Sequence, residues 1–333
     1  MGLTLAIVLA LAFAFTNGFL DAANTIATLV TTRAATPGQA IVLASIFNMA
    51  GPLLFGAAVA SLVGGLVVVA PAASAAVIGS GLAAATAWNV LSWWRGIPSS
   101  SGHALVGGLV GAALAYGGTS AVDWGGWTGW HPHGVLAVLV SLAISPVLGF
   151  LVALGLIRLL RRLSKRWSVH MAGSVRGGQW LTSAALAFSH GTNDAQKSIG
   201  AIGAILLAQG YSHSLAAPLW AILISATALT AGTALGGWRV VKTIGRRIYH
   251  IKPLDGLASS SGSTAVILAA SFLGVPVSTT HVVASSVIGV GAGRNRWRRV
   301  RWAVVKDMGL TWVTTLPVCA LLAALIFALW NLT

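Results

Sequence analysis

The sequence predicts an all-α polytopic membrane protein of two inverted-topology repeats, each with broken helices and a re-entrant helical hairpin. Three observations lead there: the composition, the placement of the basic residues, and two polar motifs that each occur once in either half. Of 333 residues, 56% are hydrophobic and 8% charged, and the mean hydropathy is +0.86. Such a chain has too few polar groups to coat a soluble globule, and its long uniform apolar runs are membrane-helix material. A closed β-barrel needs strict in-out alternation, which runs such as 40–70 and 311–330 lack.

The net charge is +15, which in a soluble chain would suggest a nucleic-acid partner. Here the bases cluster between apolar runs, so they read as positive-inside loops and no nucleic acid is expected. The first loop holds Arg158, Arg161, Arg162, Lys165, Arg166 and Arg176. The second holds Arg239, Lys242, Arg246, Arg247 and Lys252, and the third Arg294, Arg296, Arg298, Arg299, Arg301 and Lys306. All three belong in the cytoplasm, whereas segments 69–80, 117–134 and 209–216, free of Lys and Arg, belong outside. The expected location is the cell membrane, multi-pass, with the lipid bilayer as partner.

In chain order, residues 2 to about 32 cross inward and 39 to about 69 return outward. Residues 72–94 and 104–116 form a hairpin that enters and leaves from outside, and 134–157 cross inward. After the first basic loop, 179–208 go out, 215–238 come back, 257–290 form a hairpin opening inside, and 302–330 exit. The same plan thus occurs twice, and the odd number of crossings in the first half turns the second upside down. The expected domains are an N-terminal repeat, 1–158, a basic cytoplasmic loop, 159–177, and a C-terminal repeat, 178–333. Inverted repeats with discontinuous helices meeting at the midplane are the architecture of secondary transporters.

Smaller features have plain readings. The first residues lack the basic start of a signal peptide. Cys319, in an apolar run, is a packing residue. Trp124, Trp127 and Trp130, and Trp297 with Trp302, read as interfacial belts. The basic stretch from Arg158 to Arg176 reads as a solvated loop, with contact to anionic lipid as the alternative.

The run Ser189-His190-Gly191-Thr192-Asn193-Asp194-Ala195-Gln196-Lys197-Ser198 sits between apolar flanks. Ionisable groups at membrane depth are costly and mark ion or substrate paths; for this run alone, an aqueous turn is an equal reading. Repetition decides between them. Asn17-Gly18-Phe19-Leu20-Asp21-Ala22-Ala23-Asn24 matches His190 through Lys197, pairing Asp21 with Asp194, two of only five acidic residues. Each Gly-x-x-Asp is expected to interrupt its span, leaving unwound backbone and helix ends to hold ions.

The hairpin tips repeat as well, Pro98-Ser99-Ser100-Ser101-Gly102-His103 against Pro276-Val277-Ser278-Thr279-Thr280-His281. Hydroxyls opening a helix offer side-chain donors, free N–H groups and a positive dipole end, a set that suits a tetrahedral oxyanion. Helix capping after a proline turn is the plainer reading of either tip alone. His103 and His281 follow the tips at matching positions and suit proton handling, while simple packing is the commoner role. Moving one charge through 100 mV costs about 2.3 kcal/mol, so an anion entering a negative cell needs cations beside it.

On these residues the chain resembles the inorganic phosphate transporter family. The signatures are Asn17 through Asn24, Ser189 through Lys197, Ile97 through His103 and Pro276 through His281, with Gly236-Gly237-Trp238-Arg239 and Lys242-Thr243-Ile244-Gly245 also family-like. The resemblance implies import of inorganic phosphate coupled to cations, and a homodimer. Three departures weaken a sodium assignment: Leu20 where many relatives have Asn or His, Lys197 where the first repeat has Asn24, and Ser259-Ser260 in place of an acidic residue. Lys197 falls on one helix face with Asp194, so its ammonium can form a local ion pair and stand in for a metal ion. H+ is therefore placed ahead of Na+ as the co-transported ion.

The expected phosphate-binding residues are Ser99, Ser100, Ser101, Ser278, Thr279, Thr280 and Asn193. Cation coupling is assigned to Asp21, Asn24, Asp194 and Asn17, with Gln196, Lys197, His103 and His281 as auxiliary candidates. If Na+ is used, its site is at Asp21 and Asp194. No cofactor and no catalytic residue are expected: Gly107-Gly108 and 289–293 lack a P-loop lysine, and no nucleophile and base pair is evident beyond the serines near histidines in the tips. The alternatives are a sulfate or related oxyanion permease and, more remotely, an ion channel.

Overall fold

A computed structural model describes residues 2–55, 58–165, 171–294 and 297–330. Arg166 and Arg296, two of the bases assigned to cytoplasmic loops, lie outside the described residues. The chain is helical nearly throughout. The first half comprises α1 (Gly2–Thr31), α2 (Pro37–Leu54), α3 (Ala58–Gly64), α4 (Pro71–Arg95), α5 (Ser101–Gly117) and α6 (Gly134–Ser164). The second comprises α7 (Met171–Ala208), α8 (Leu219–Leu235), α9 (Trp238–Lys242), α10 (Pro253–Phe272), α11 (Thr279–Gly293) and α12 (Trp302–Trp330).

The ends of these helices follow from local chemistry. Thr36 and Gln39 form a capping box ahead of α2, with Pro37 in its first turn. Pro71 and Pro253 open α4 and α10, and the Asp255 carboxylate accepts from Lys252 N at 3.0 Å. Ser100 and Ser278 cap α5 and α11, accepting from His103 N at 3.1 Å and His281 N at 3.2 Å. Gly96, with φ of 67°, ends α4 in the left-handed region.

Among the described residues, six helices are long and apolar enough to cross a membrane: α1, α2, α4, α5 with its following turn, α6 and α12. A seventh arises if α8 and the segment from Trp238 to Ile248, bent by 59°, form one broken span. The second apolar run is discontinuous in each half, α2 giving way to α3 and α8 to α9. α7, at 38 residues, is long enough to cross, but its centre is the polar run.

Helix packing repeats between the halves. α1 packs on α8 as α7 packs on α2, and α4 on α5 as α10 on α11. α5 meets α12 as α11 meets α6, α1 meets α4 as α7 meets α10, and α1 meets α9 as α7 meets α3. Apolar side chains form two main bodies. One surrounds Phe13, Leu82 and Leu105, the other Leu20, Ile26 and Val282.

The expectation of unwound backbone at the Gly-x-x-Asp motifs is overturned. α1 runs unbroken through Gly18 and Asp21, and α7 through Gly191 and Asp194. The glycines permit close helix crossing instead. A Cβ on Gly18 would lie 2.0 Å from Leu229 O, and one on Gly191 2.2 Å from Asn48 O. Small residues with this role are usual where lipid removes the hydrophobic drive for helix association.

The segment between α5 and α6 contains a short antiparallel hairpin of β1 (Gly126–Thr128) and β2 (His131–His133). The base-free segments gather at one end of the molecule. Gln209 Nε2 donates to Pro71 O at 2.6 Å, and Val68 N to Ala121 O at 2.9 Å. At the other end, Arg158, Arg161, Arg162, Lys165, Lys252 and Arg294, drawn from all three basic segments, line two adjoining cavities. Helix enters the basic segment 159–177 from both sides, through the last turns of α6 and the first of α7.

Candidate functional site

Asp21 and Asp194 face each other in the polar centre, both about 1% exposed. Their neighbours come from both hairpin tips. Ser101 Oγ donates to Asp21 Oδ2 at 3.2 Å, and Thr279 Oγ1 donates to Asp194 Oδ2 at 3.0 Å. Thr280 Oγ1 also donates to Asp21, at 2.6 Å on Oδ1, so one carboxylate holds both tips. Asn24 Nδ2 adds bonds to Asp21 Oδ1 and Thr280 Oγ1, each at 3.0 Å.

The division of labour along each tip has a simple cause. The hydroxyl immediately before each helix, Ser100 or Ser278, caps that helix, and the next turns inward to a carboxylate. Ser99 belongs to neither group. Its Oγ accepts from Trp88 Nε1 at 2.7 Å and lies 3.2 Å from Thr315 Oγ1, so it ties α4 to α12 and faces away from the carboxylates.

The charges are distributed unequally. Lys197 Nζ pairs with Asp194 Oδ1, as the three-residue spacing on α7 suggests. A Cβ at Gly102 would stand 3.4 Å from Lys197 Nζ, so the ammonium lies against the first turn of α5. Asp21 makes no ion pair among the described residues.

His190 occupies the remaining side of Asp194, its Nε2 at 2.8 Å from Oδ2. Its Nδ1 is 3.1 Å from Asn48 Oδ1, and Asn48 Nδ2 donates to Thr233 Oγ1 at 2.9 Å. Because Thr233 Oγ1 in turn donates to Leu229 O, the Asn48 amide turns its oxygen to the ring. Each nitrogen of His190 therefore faces an oxygen acceptor. Ligand atoms of Asp21, His190 and Asp194 lie within 4.8 Å of one another, near enough to share a cation.

The remaining candidates act at a distance or stand aside. Asn193, expected at the oxyanion, spends its side chain on the second tip: Nδ2 donates to Ser271 Oγ at 3.1 Å, and Oδ1 accepts from Val277 N at 3.3 Å. Gln196 Oε1 accepts from Val59 N and Ala60 N, at 2.8 and 3.1 Å, and so caps α3. Asn17 is buried and its amide has no hydrogen-bond partner among the described residues. His103 and His281 bring the two tips together, with ring centroids 4.7 Å apart, and His281 stacks on Trp312 at 3.8 Å.

His190, Asn48 and Thr233 were not singled out from the sequence. His190 is four residues before Asp194, a spacing that places it on the same helix face and could have flagged it. Asn48 and Thr233 are lone polar residues in apolar runs, and only the packing of α2 and α8 against α7 connects them to the site.

Comparison with known proteins finds relatives along nearly the whole chain. The chain is 39% identical over 323 residues to a probable low-affinity inorganic phosphate transporter of Rhizobium meliloti, covering 96% of this chain and 94% of that one. It is 38% identical to a Bacillus subtilis protein of the same description, covering 98% and 97%. These relatives are named as transporters, not enzymes. A solved structure described as the sodium-dependent phosphate transporter superposes with a TM-score of 0.87 at 26% identity, over 99% of both chains. With the model of the phosphate transporter family matching residues 17–323, and the paired motifs inside that range, the chain belongs to the phosphate transporter family.

Proposed function

We propose that this protein is a secondary transporter that imports inorganic phosphate together with a cation, H+ ahead of Na+. The observation that carries this reading is that hydroxyls from both tips converge on two buried carboxylates, Ser101 and Thr280 on Asp21 and Thr279 on Asp194. A hydroxyl has one proton to donate, so while it serves a carboxylate it cannot serve phosphate. Neutralising Asp21 weakens its hold on Ser101 and Thr280 and frees both donors for the oxyanion. Cation binding and anion binding are coupled by that exchange.

H+ is placed first because Lys197 and His190 already occupy Asp194, leaving Asp21 as the uncompensated charge. His190, with an acceptor at each ring nitrogen, is a second place for a proton. Sodium is the second reading, favoured by the close set of Asp21, His190 and Asp194 and by the sodium-dependent solved relative. Phosphate accumulation in sodium-free proteoliposomes under an inward proton gradient is the expected result; uptake that begins only when sodium is added would end the proton reading. Accumulation against a phosphate gradient also excludes a channel. Weak competition by sulfate is expected, because phosphate carries a proton that a carboxylate can accept and sulfate does not.

The proposal includes two inverted repeats, 1–158 and 178–333, joined by the basic segment 159–177 on the cytoplasmic side. The matching helix contacts of the two halves support it. It includes a homodimer on the strength of the family resemblance, which the mass of the detergent-solubilised protein tests.

A further inference from the structure

Three polar stripes run from the carboxylates toward the basic end. On α1 and the turn that follows it they are Asn24, Thr28 and Thr32; on α7, Ser183 and Gln179; on α10, Ser263, Ser260 and Gly256. Spacings of three and four residues keep each stripe on one helix face. The stripes meet. Thr28 Oγ1 lies 3.0 Å from Ser260 Oγ, and a Cβ on Gly256 would be 3.3 Å from Thr32 Cγ2 and 3.6 Å from Gln179 Nε2.

We infer that this seam between α1, α7 and α10 is the passage from the paired carboxylates to the basic end, and that Gln179 is its latch. The inference rests on the transport reading above and adds to it a route and a gate. Gln179 is 2% exposed and joins two walls of the seam: its Oε1 accepts from Thr32 Oγ1 at 2.7 Å, and its Nε2 donates to Pro253 O at the start of α10. On its far side lies a cavity of about 410 Å³ lined by Thr32, Arg176, Lys252 and Arg294 among others. Arg294 already pairs with Asp255, so Arg176 and Lys252 are the cations that would receive an oxyanion leaving the seam.

Two further observations bear on the seam. Ser183 and Ser263 are buried with hydroxyls that have no hydrogen-bond partner among the described residues. Most other buried hydroxyls on these helices fold back on a carbonyl one turn earlier, as Ser189 does to Leu186 O and Ser271 to Ile267 O, with Ser259 of α10 an exception. The register that pairs Asp21 with Asp194 also pairs Thr28 with Ala201 and Thr32 with Ile205, and both of these are packed in the apolar core. The polar lining is thus specific to the half of the molecule nearer the basic end.

The test uses full-length protein in oriented proteoliposomes, with a small anionic, membrane-impermeant thiol reagent applied to either side. The parent, whose one cysteine, Cys319, is buried, is the blank. Ser183→Cys and Ser263→Cys, each first shown to melt as the parent does, are expected to be modified from the basic side and protected by inorganic phosphate. Adding Gln179→Ala is expected to raise that rate on the order of tenfold, the scale set by losing two hydrogen bonds. Modification only from the opposite side, or none from either, overturns the passage, and an unchanged rate in Gln179→Ala overturns the latch. Labelling needs no substrate, so side-specific modification without phosphate protection would sink the phosphate reading while leaving the passage standing.

Discussion

Asp21 and Asp194 hold equivalent places in the two halves, but their surroundings make them respond differently to substitution. Asp194 holds Lys197 and His190 in a site closed to water, and removing one partner of a buried ion pair costs about 3–5 kcal/mol because the other charge is stranded. Asp194→Asn is therefore expected to lower the melting temperature of the solubilised protein sharply, and adding Lys197→Met to recover most of the loss. Equal melting of Asp194→Asn and parent would show that the pair is not buried as described. Asp21→Asn strands no cation, so it is expected to fold normally and lose gradient-driven accumulation. Among the hydroxyls, Ser101→Ala with Thr280→Ala should weaken phosphate uptake at limiting substrate. Ser99→Ala should leave transport nearly intact, since Ser99 bonds Trp88 rather than a carboxylate.

At the scale of helices, the glycines of the two motifs set how closely α1 approaches α8 and α7 approaches α2. Gly18→Ala places a methyl group on a backbone carbonyl, which cannot swing away, and overpacking of this kind costs about 1–3 kcal/mol. Gly155→Ala on α6 meets nothing within 4 Å and is expected to be neutral or slightly stabilising. Thermal melts of the two variants should separate clearly; matching curves would mean the α1–α8 crossing is looser than described. The helices themselves were largely legible in the sequence because hydropathy, proline turns and hydroxyl caps act locally. The role of Gly18 and Gly191 was not, since a glycine that loosens its own helix and one that admits a neighbour look alike until the neighbour is placed.

For the whole molecule, the separation of basic and base-free ends predicts orientation. A cysteine at Trp130, which is 93% exposed, should react with an impermeant reagent only from outside intact cells, and one at Lys165 only from the cytoplasmic side. The reverse pattern would invert the proposed direction of transport. The sequence by itself determined the membrane class, the approximate spans and the two pairs of motifs, because composition, hydropathy and repetition can be read along the chain. Only the tertiary structure decided that Ser101 and Thr280 share Asp21, that Asn193 and Gln196 hold backbone at other elements, that Asn48 orients His190, and that Gln179 bridges α1 and α10. Those pairings depend on the relative rotation and height of helices distant in sequence, which close contact between backbones sets and no local pattern records.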